Sequence, residues 1–395
     1  MVQTQVIPYL RELAAGGLRV SLLTFEGQVA ELQSYGVPEL KRELAEQGID
    51  WHWLRYHKRF SAVATAWDIL CGTWWVRRFI GRERPDILHG RVHVPTLMGA
   101  LARKLSRHKP KLLFDIRGFF PEEYTDAGIW PENGVLYRAA KAAERWLLKD
   151  ADGFVVLTER AREILFPGSG ATGADELGRP VEVIPCCVDL GRFGAANAAS
   201  REEIREALGL KDRFVAAYVG AFGGWYLTKE TADFFAALKQ EKPNAFAMIL
   251  TQSKREAIEP LLRESGYGTG DYIVVKVPPA EVPKYLSGAD AAVSFIKRCY
   301  SKQASSPTKN AEYLACGLPI IANAGVGDVD KLIGENGVGA LIETFSPDAY
   351  RASIDAVQGL NGVGEHCREV ARREFDLVSV GGQRYRRIYE RLGAK

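Results

Sequence analysis

The chain has 395 residues, 47% of them hydrophobic and 26% charged, with a formal net charge of +3. That length suits two domains of roughly 150–200 residues each, and the balance of residue types excludes a disordered chain or a fibre. No run approaches the roughly 18–20 apolar residues of a membrane span, and the N-terminus lacks the pattern of a signal peptide, so a cytoplasmic protein is expected. Six cysteines without C-x-x-C spacing read as reduced thiols, with no zinc site.

In chain order, the first feature is a helix where a strand belongs. Val6, Tyr9, Leu10 and Leu13 share one helical face, and Gly16-Gly17 ends it. A doubly wound domain begins instead with a strand and a glycine-rich turn. Either the first domain is built without its opening strand or Met1 is not the natural start, and the second is the expectation. Apolar runs then predict strands at Leu18–Glu26, Asp86–Gly90, Lys111–Gly118, Gly153–Glu159 and Val181–Pro185, with helical periodicity between them. At Asp189–Ser200 both patterns lapse into Gly, Ala and Ser, the composition of a linker. A second series follows at Arg213–Gly220, Ala245–Thr251, Tyr272–Val277, Asp290–Ile296, Leu318–Ala322 and Gly339–Glu343.

Short, near-continuous apolar strands alternating with helices imply parallel sheets covered on both faces. The expected fold class is α/β, with two doubly wound Rossmann-like domains at residues 1–188 and 201–376, a linker at 189–200, and a cleft between the domains where ligands bind. Residues 377–395 read as an amphipathic helix that crosses back to the first domain.

Charge is uneven along the chain. Residues 50–110 hold twelve Lys/Arg against four Asp/Glu, interleaved with aromatics in Trp51–Phe60 and Gly72–Pro85. One reading is solvated helix faces beside a core-facing aromatic stripe. The other is docking on an anionic membrane surface. No nucleic-acid recognition motif accompanies the patch, so nucleic acid is not an expected partner.

The chemistry concentrates in two places. "VGAFGGW" (Val219–Trp225) is a glycine-rich turn between strand and helix, containing Gly223 and Gly224, without a phosphate-loop motif or a full G-x-G-x-x-G. "SSPTKNAEYLACG" (Ser305–Gly317) opens a helix with Ser305, Ser306 and Thr308, whose hydroxyls and backbone N–H groups suit a diphosphate. Lys309 adds a full charge. Glu312, three residues on, could accept hydrogen bonds from vicinal sugar hydroxyls, or simply pair with Lys309 at i,i+3. Asp328 in "DVD" reads as a helix cap. The i,i+4 pair His89 and His93 leaves a strand instead of lying on one helix, so no metal is expected there.

The run "SSPTKNAEYLACGLPIIANAGVGDVDKLI" (Ser305–Ile333) resembles the donor-site signature of glycosyltransferase family 4, retaining enzymes of the GT-B fold. "QTQVIPYLRELAAGGLRVSLLTFE", "DIRGFFPEE", "VVLTERAREIL", "IPCCVDLGRF" and "YVGAFGGWY" resemble further parts of the pattern, in order. The resemblance implies sugar transfer with retained anomeric configuration from a UDP- or GDP-sugar. The acceptor would be a glycan or lipid-linked saccharide, as in cell-surface polysaccharide synthesis on the inner face of the cytoplasmic membrane. No metal or other cofactor is implied. Glu312 would hold the donor ribose, Lys309 and the Ser305, Ser306 and Thr308 amides the diphosphate, and the Gly223-Gly224 turn would pass beneath it. Asp115, Arg117 and Gly118 match a strand end facing the transferred sugar, and His89 another.

Two positions depart from the pattern. Ala304 stands where the first Glu of the E-x7-E motif belongs, and Ala221 where an Arg is usual, which leaves Arg298, Lys297 or Lys229 to supply that charge. No carboxylate pair for a covalent intermediate is evident. The resemblance implies front-face attack, in which the leaving phosphate takes the acceptor proton and the protein supplies position and positive charge. A phosphorylase or epimerase, and a non-catalytic nucleotide-sugar-binding or scaffold protein, are the rival readings on the same fold.

Overall fold

A computed structural model describes residues 5–27, 37–57, 61–194, 196–360 and 362–393. The chain forms two compact units, Met1–Ile184 with Gly381–Lys395, and Pro185–Val380.

In the first unit β1 (Val20–Glu26) pairs in parallel with β2 (Ile49–Arg55), in register from Val20 opposite Ile49 to Glu26 opposite Arg55. A second parallel sheet runs β3 (Ile87–Arg91), β4 (Lys111–Ile116), β5 (Gly153–Val156), β6 (Val181–Val183) in that order. β2 falls within a stretch that the sequence reading took as basic and aromatic; Ile49 and Trp51 are buried while Asp50 between them is exposed, the period of a half-buried strand. Among the described residues β1 and β3 do not pair with each other.

The end of β3 is forced into a tight turn. Thr96 Oγ1 donates to the carbonyls of Gly90 (2.9 Å) and Val92 (2.7 Å), and a Cβ on Gly90 would lie 2.4 Å from the Thr96 Cα. Val92, a β-branched residue, adopts φ 64°, a strained conformation for any side chain but glycine's hydrogen. Its N–H donates to the Asp115 carbonyl at 2.9 Å. The turn therefore fixes the end of β3, which carries His89 and Arg91, against the end of β4.

The chain returns to the first unit through a π-helical turn, Leu377–Gly382, and ends in the helix Gln383–Arg391. Tyr385 and Ile388 are buried there, Arg384 donates to the Val183 carbonyl (2.6 Å), and Arg386 to the Glu12 carbonyl (2.6 Å).

The second unit holds one six-stranded parallel sheet in the order β12-β11-β10-β7-β8-β9. The strands are β7 (Val215–Val219), β8 (Phe246–Leu250), β9 (Tyr272–Val275), β10 (Ala291–Ser294), β11 (Ile320–Asn323) and β12 (Gly339–Ile342). Ala217, Met248, Ala292 and Ile320 enter the core on one face, and Ala216, Ala247, Val293 and Ile321 the core on the other. Burial on both faces explains why these strands read as continuous apolar runs. Strand order reverses between β7 and β10, the switch point at whose carboxyl end such sheets bind ligands.

The segment 189–200 is not a loose linker. Asp189 caps the helix Leu190–Phe193, and Asn197 and Ser200 form a reciprocal capping box on Ala198–Ala207. Val188, Phe193 and Ala196 are buried in the core of the second unit. Its small residues looked like linker because Leu190 and Phe193 are the two large apolar residues among them. The boundary therefore lies at Ile184, and the return at Gly381. Asp328 makes no side-chain cap either; Asp330 instead accepts the Gly325 N–H through both carboxylate oxygens (2.9 and 3.1 Å).

A Cβ at Gly339 would lie 1.9 Å from the Ile320 carbonyl oxygen, across the β11–β12 ladder. Gly339→Ala is expected to destabilise the second unit by about 3 kcal/mol or more. Urea unfolding measures this, and an unchanged midpoint would contradict the packing described.

Candidate functional site

At the β7/β10 switch point two loops and one helix converge on a buried lysine. The helix Thr308–Ala315 begins after Pro307 and has no side-chain cap, so its first N–H groups have no side-chain acceptor. Lys309, in its first turn, is buried and its Nζ has no hydrogen-bond partner. The ammonium lies 4.4 Å from the ring centroid of Tyr218 and 4.2 Å from that of Tyr226, within cation–π range of both.

Each part of this cage has a local cause. Tyr218, on β7, donates to the Ala221 carbonyl (2.6 Å) and stacks on Phe222 with centroids 4.7 Å apart. Tyr226 is held by bridges to Gly223 and to Ile296 at the end of β10. Gly220 has φ 142°, and a Cβ there would come 2.9 Å from Lys309 Nζ, so the glycine makes room for the ammonium. Gly223 (φ 81°) and Gly224 (φ 62°) turn the chain beyond it, and a Cβ on either would meet open space. The Gly223 N–H donates to Thr228 Oγ1 at 3.0 Å.

Glu312 lies one helical turn on. Its nearest cation is Arg192, with Nη2 3.9 Å from Oε1, and Lys309 Nζ makes no hydrogen bond to it. The simple i,i+3 pair is therefore not what the helix builds. Burial pushes the Lys309 ammonium down to about 7, with Glu312 opposing. It pushes the Glu312 carboxyl up to about 7, with Arg192 and Lys309 opposing. Asn310, between them in sequence, is buried with neither amide atom partnered. A buried cation without a partner is costly. A ligand carrying negative charge supplies what Lys309 lacks.

Other expected donor residues are committed elsewhere. The Ser305 N–H donates to the Lys302 carbonyl (3.1 Å), and Ser306 Oγ accepts the Cys186 N–H (3.1 Å). The Ser305 N–H is thus spent within the approach to the helix, and the Ser306 hydroxyl braces that approach through an accepted hydrogen bond. Thr308 is the first helical residue. Arg298 is exposed and its guanidinium lies against Gly325, not in the tyrosine cage. Ala304, where the resemblance would have a Glu, is buried in the 3-10 turn Tyr300–Ala304.

In the first unit the expected sugar-facing residues form a buried cluster. Asp115, at the end of β4, is fully buried. Its Oδ2 accepts from Tyr385 Oη (2.9 Å) and Arg91 Nη1 (3.3 Å), with His89 Nε2 at 3.4 Å; Arg117 Nη1 lies 3.7 Å from Oδ1. Burial alone would raise its pKa, but Arg117, His89 and Arg91 together hold the carboxyl well below the usual range. His89 Nδ1 shares a hydrogen with Tyr389 Oη at 2.7 Å. His93 is absorbed separately, 2.8 Å from the buried Glu144, which Lys141 also contacts.

Sequence reasoning missed Arg192, Tyr218, Tyr226, Arg91, Tyr385 and Tyr389. Only the last pair left a local signal, an i,i+4 tyrosine spacing on the C-terminal helix. The others reach their places from distant elements.

Comparisons with known proteins give the family and the fold. Residues 2–187 match the glycosyl transferase 4-like domain, and residues 200–374 match the glycosyl transferases group 1 domain. A glycosyltransferase from Rickettsia africae ESF-5 is structurally similar, with a TM-score of 0.70 at 17% identity, over 99% of this chain and 96% of that one. Anabaena Alr3699/HepE in complex with UDP and glucose gives 0.62 at 14%, over 96% and 100%. WaaG, a glycosyltransferase involved in lipopolysaccharide biosynthesis, gives 0.61 at 16%, over 95% and 99%. A search of curated protein sequences finds no match. The fold and the two matched domains define a glycosyltransferase of the GT-B class. The chain belongs to the group 1 glycosyltransferases with a 4-like N-terminal domain, and it is an enzyme of that family.

An anion bound beside Lys309 restores its proton. Binding of UDP or GDP is therefore expected to take up protons between about pH 7 and pH 9, in the window above the free-protein value near 7. Calorimetry in buffers of different ionisation enthalpy reads this directly. Heats independent of the buffer, or proton release, would contradict the cage.

Proposed function

We propose that this glycosyltransferase transfers a sugar from a UDP- or GDP-sugar to a glycan or lipid-linked saccharide with retention, without a metal, in cell-surface polysaccharide synthesis. The observation that carries the donor assignment is Lys309, buried, unpartnered and boxed by Tyr218 and Tyr226, with Glu312 one turn away. In this reading Lys309 and the open helix N-terminus take the diphosphate and stabilise its charge as it leaves. Glu312, kept in place by Arg192, accepts hydrogen bonds from the ribose hydroxyls, and the Gly223-Gly224 turn lets the backbone approach the phosphates. The leaving phosphate accepts the acceptor proton, so no protein nucleophile is required.

Full burial of Asp115 supports a positioning role for it: it holds Arg91, Arg117 and His89, of which His89 is the one assigned to the transferred sugar. The complex of the similar Anabaena protein with UDP and glucose supports a UDP-sugar as the first donor to try. The involvement of WaaG in lipopolysaccharide biosynthesis supports a lipid-linked acceptor. We further assign the protein to the inner face of the cytoplasmic membrane, with residues 50–110 toward an anionic surface. Among the described residues no helix is long and apolar enough to cross a membrane.

Glu312→Ala is expected to lower kcat/KM by about ten- to a hundredfold, the scale of a lost charge-assisted hydrogen bond, while circular dichroism is unchanged. Proton NMR of the first-formed product should show the donor's anomeric configuration. Full activity in the variant would overturn the donor site, and an inverted product would overturn the mechanism.

A further inference from the structure

The helix Ser61–Glu83 carries its apolar residues on two sides. One side faces the unit: Ala64, Asp68, Thr73 and Ile80 are buried, and a Cβ on Gly72 would lie 2.4 Å from Met98 Sδ. Asp68 fixes this side by accepting the His57 N–H (3.0 Å) and contacting His57 Nδ1 (2.6 Å).

The other side is inverted relative to an ordinary surface helix. Val63, Trp67, Leu70 and Trp74 are 72%, 56%, 62% and 57% exposed. Their spacing of i, i+4, i+7 and i+11 sets them in one stripe, along which Ala62 and Ala66 are exposed as well. For three turns this solvent face carries no polar side chain. It then becomes cationic, with exposed Arg77, Arg78 and Arg82; the Arg78 guanidinium lies 4.6 Å from the Trp74 ring centroid. The one acidic residue near its end, Glu83, is already paired with Arg82 at 2.6 Å.

We propose that this face of the Ser61–Glu83 helix is a docking surface for an anionic lipid bilayer. Trp67, Leu70 and Trp74 enter the headgroup region with the helix lying in the membrane plane, while Arg77, Arg78 and Arg82 meet lipid phosphates. The chemistry fits one occupant. Tryptophan and leucine partition to the boundary of headgroups and acyl chains, and arginines on the same face take up anionic charge at that depth. The surrounding segment 50–110, with its twelve basic and four acidic residues, reinforces the attraction. A second copy of the same face would offer those three arginines no acidic partner. The inference narrows the membrane part of the proposed function to one helix face, and it does not depend on the donor site.

Co-sedimentation with phosphatidylcholine vesicles, with and without phosphatidylglycerol, tests it on the full chain. Binding is expected only with phosphatidylglycerol, and brominated acyl chains should quench tryptophan fluorescence. Arg77→Glu with Arg78→Glu should weaken binding by about tenfold or more. Trp67→Ser with Trp74→Ser should abolish binding and quenching, whereas Trp67→Phe with Trp74→Phe should keep binding and lose much of the quenching. All variants should keep the wild-type unfolding temperature and its turnover of a soluble acceptor. The proposal is overturned if wild-type protein ignores anionic vesicles, or if the serine variant binds as tightly as wild type. It is also overturned if the serine variant only converts a dimer to a monomer by light scattering. A protein that docks but transfers no sugar would refute the proposed function and leave this inference standing.

Discussion

A buried ammonium with no hydrogen-bond partner is the constraint on which the second unit's site depends. Lys309 is held under two tyrosine rings whose positions come from unrelated parts of the fold, Tyr218 on the central strand and Tyr226 bridged to the end of β10. The aromatic faces supply a weak attraction that stands in for the missing anion. They do not replace water or a carboxylate, and the lysine's lowered pKa records the difference. The helix N-terminus, the permissive Gly220 and the open Gly223-Gly224 turn all lie around the same deficit. Such a site is preorganised for negative charge, the property that the proposed diphosphate leaving group would use.

The first unit solves the opposite electrostatic problem. Asp115 is a buried anion, and it is surrounded by donors: Tyr385, Arg91, His89 and, at longer range, Arg117. One of those donors comes from the C-terminal helix, so the same carboxylate that orders the ends of β3 and β4 also anchors the last helix to its unit. The strained Val92 turn belongs to this arrangement, because its N–H returns to the Asp115 backbone. An anion ringed by donors is a scaffold; a cation with no hydrogen-bond partner is a candidate binding site.

Much of the architecture was legible in the sequence because burial on both sheet faces produces uninterrupted apolar runs, as in β7, β8 and β10. β2 was not, because its buried Ile49 and Trp51 alternate with charge and histidine inside a basic stretch. Nor was the true extent of the second unit, since only Leu190 and Phe193 anchor a run of small residues. At the site, Lys309 and Glu312 were legible because one helix carries both. Spacing could not reveal that Arg192 and not Lys309 is the nearest cation to Glu312, or that the Ser305 N–H turns back to the Lys302 carbonyl and Ser306 Oγ accepts from Cys186. Local pattern states which residues can meet within an element, and it is silent on what arrives from elsewhere.

The central claim is that the second unit is built around a place for a diphosphate, and ligand-dependent thermal stability measures it most directly. Uridine, UMP, UDP, UDP-sugars and their guanosine counterparts, compared at equal concentration, separate the contribution of the phosphates from that of the nucleoside. One diphosphate series should raise the unfolding temperature well above its monophosphate and nucleoside. Stabilisation by the nucleoside equal to that by the diphosphate, or no stabilisation by either series, would contradict the account.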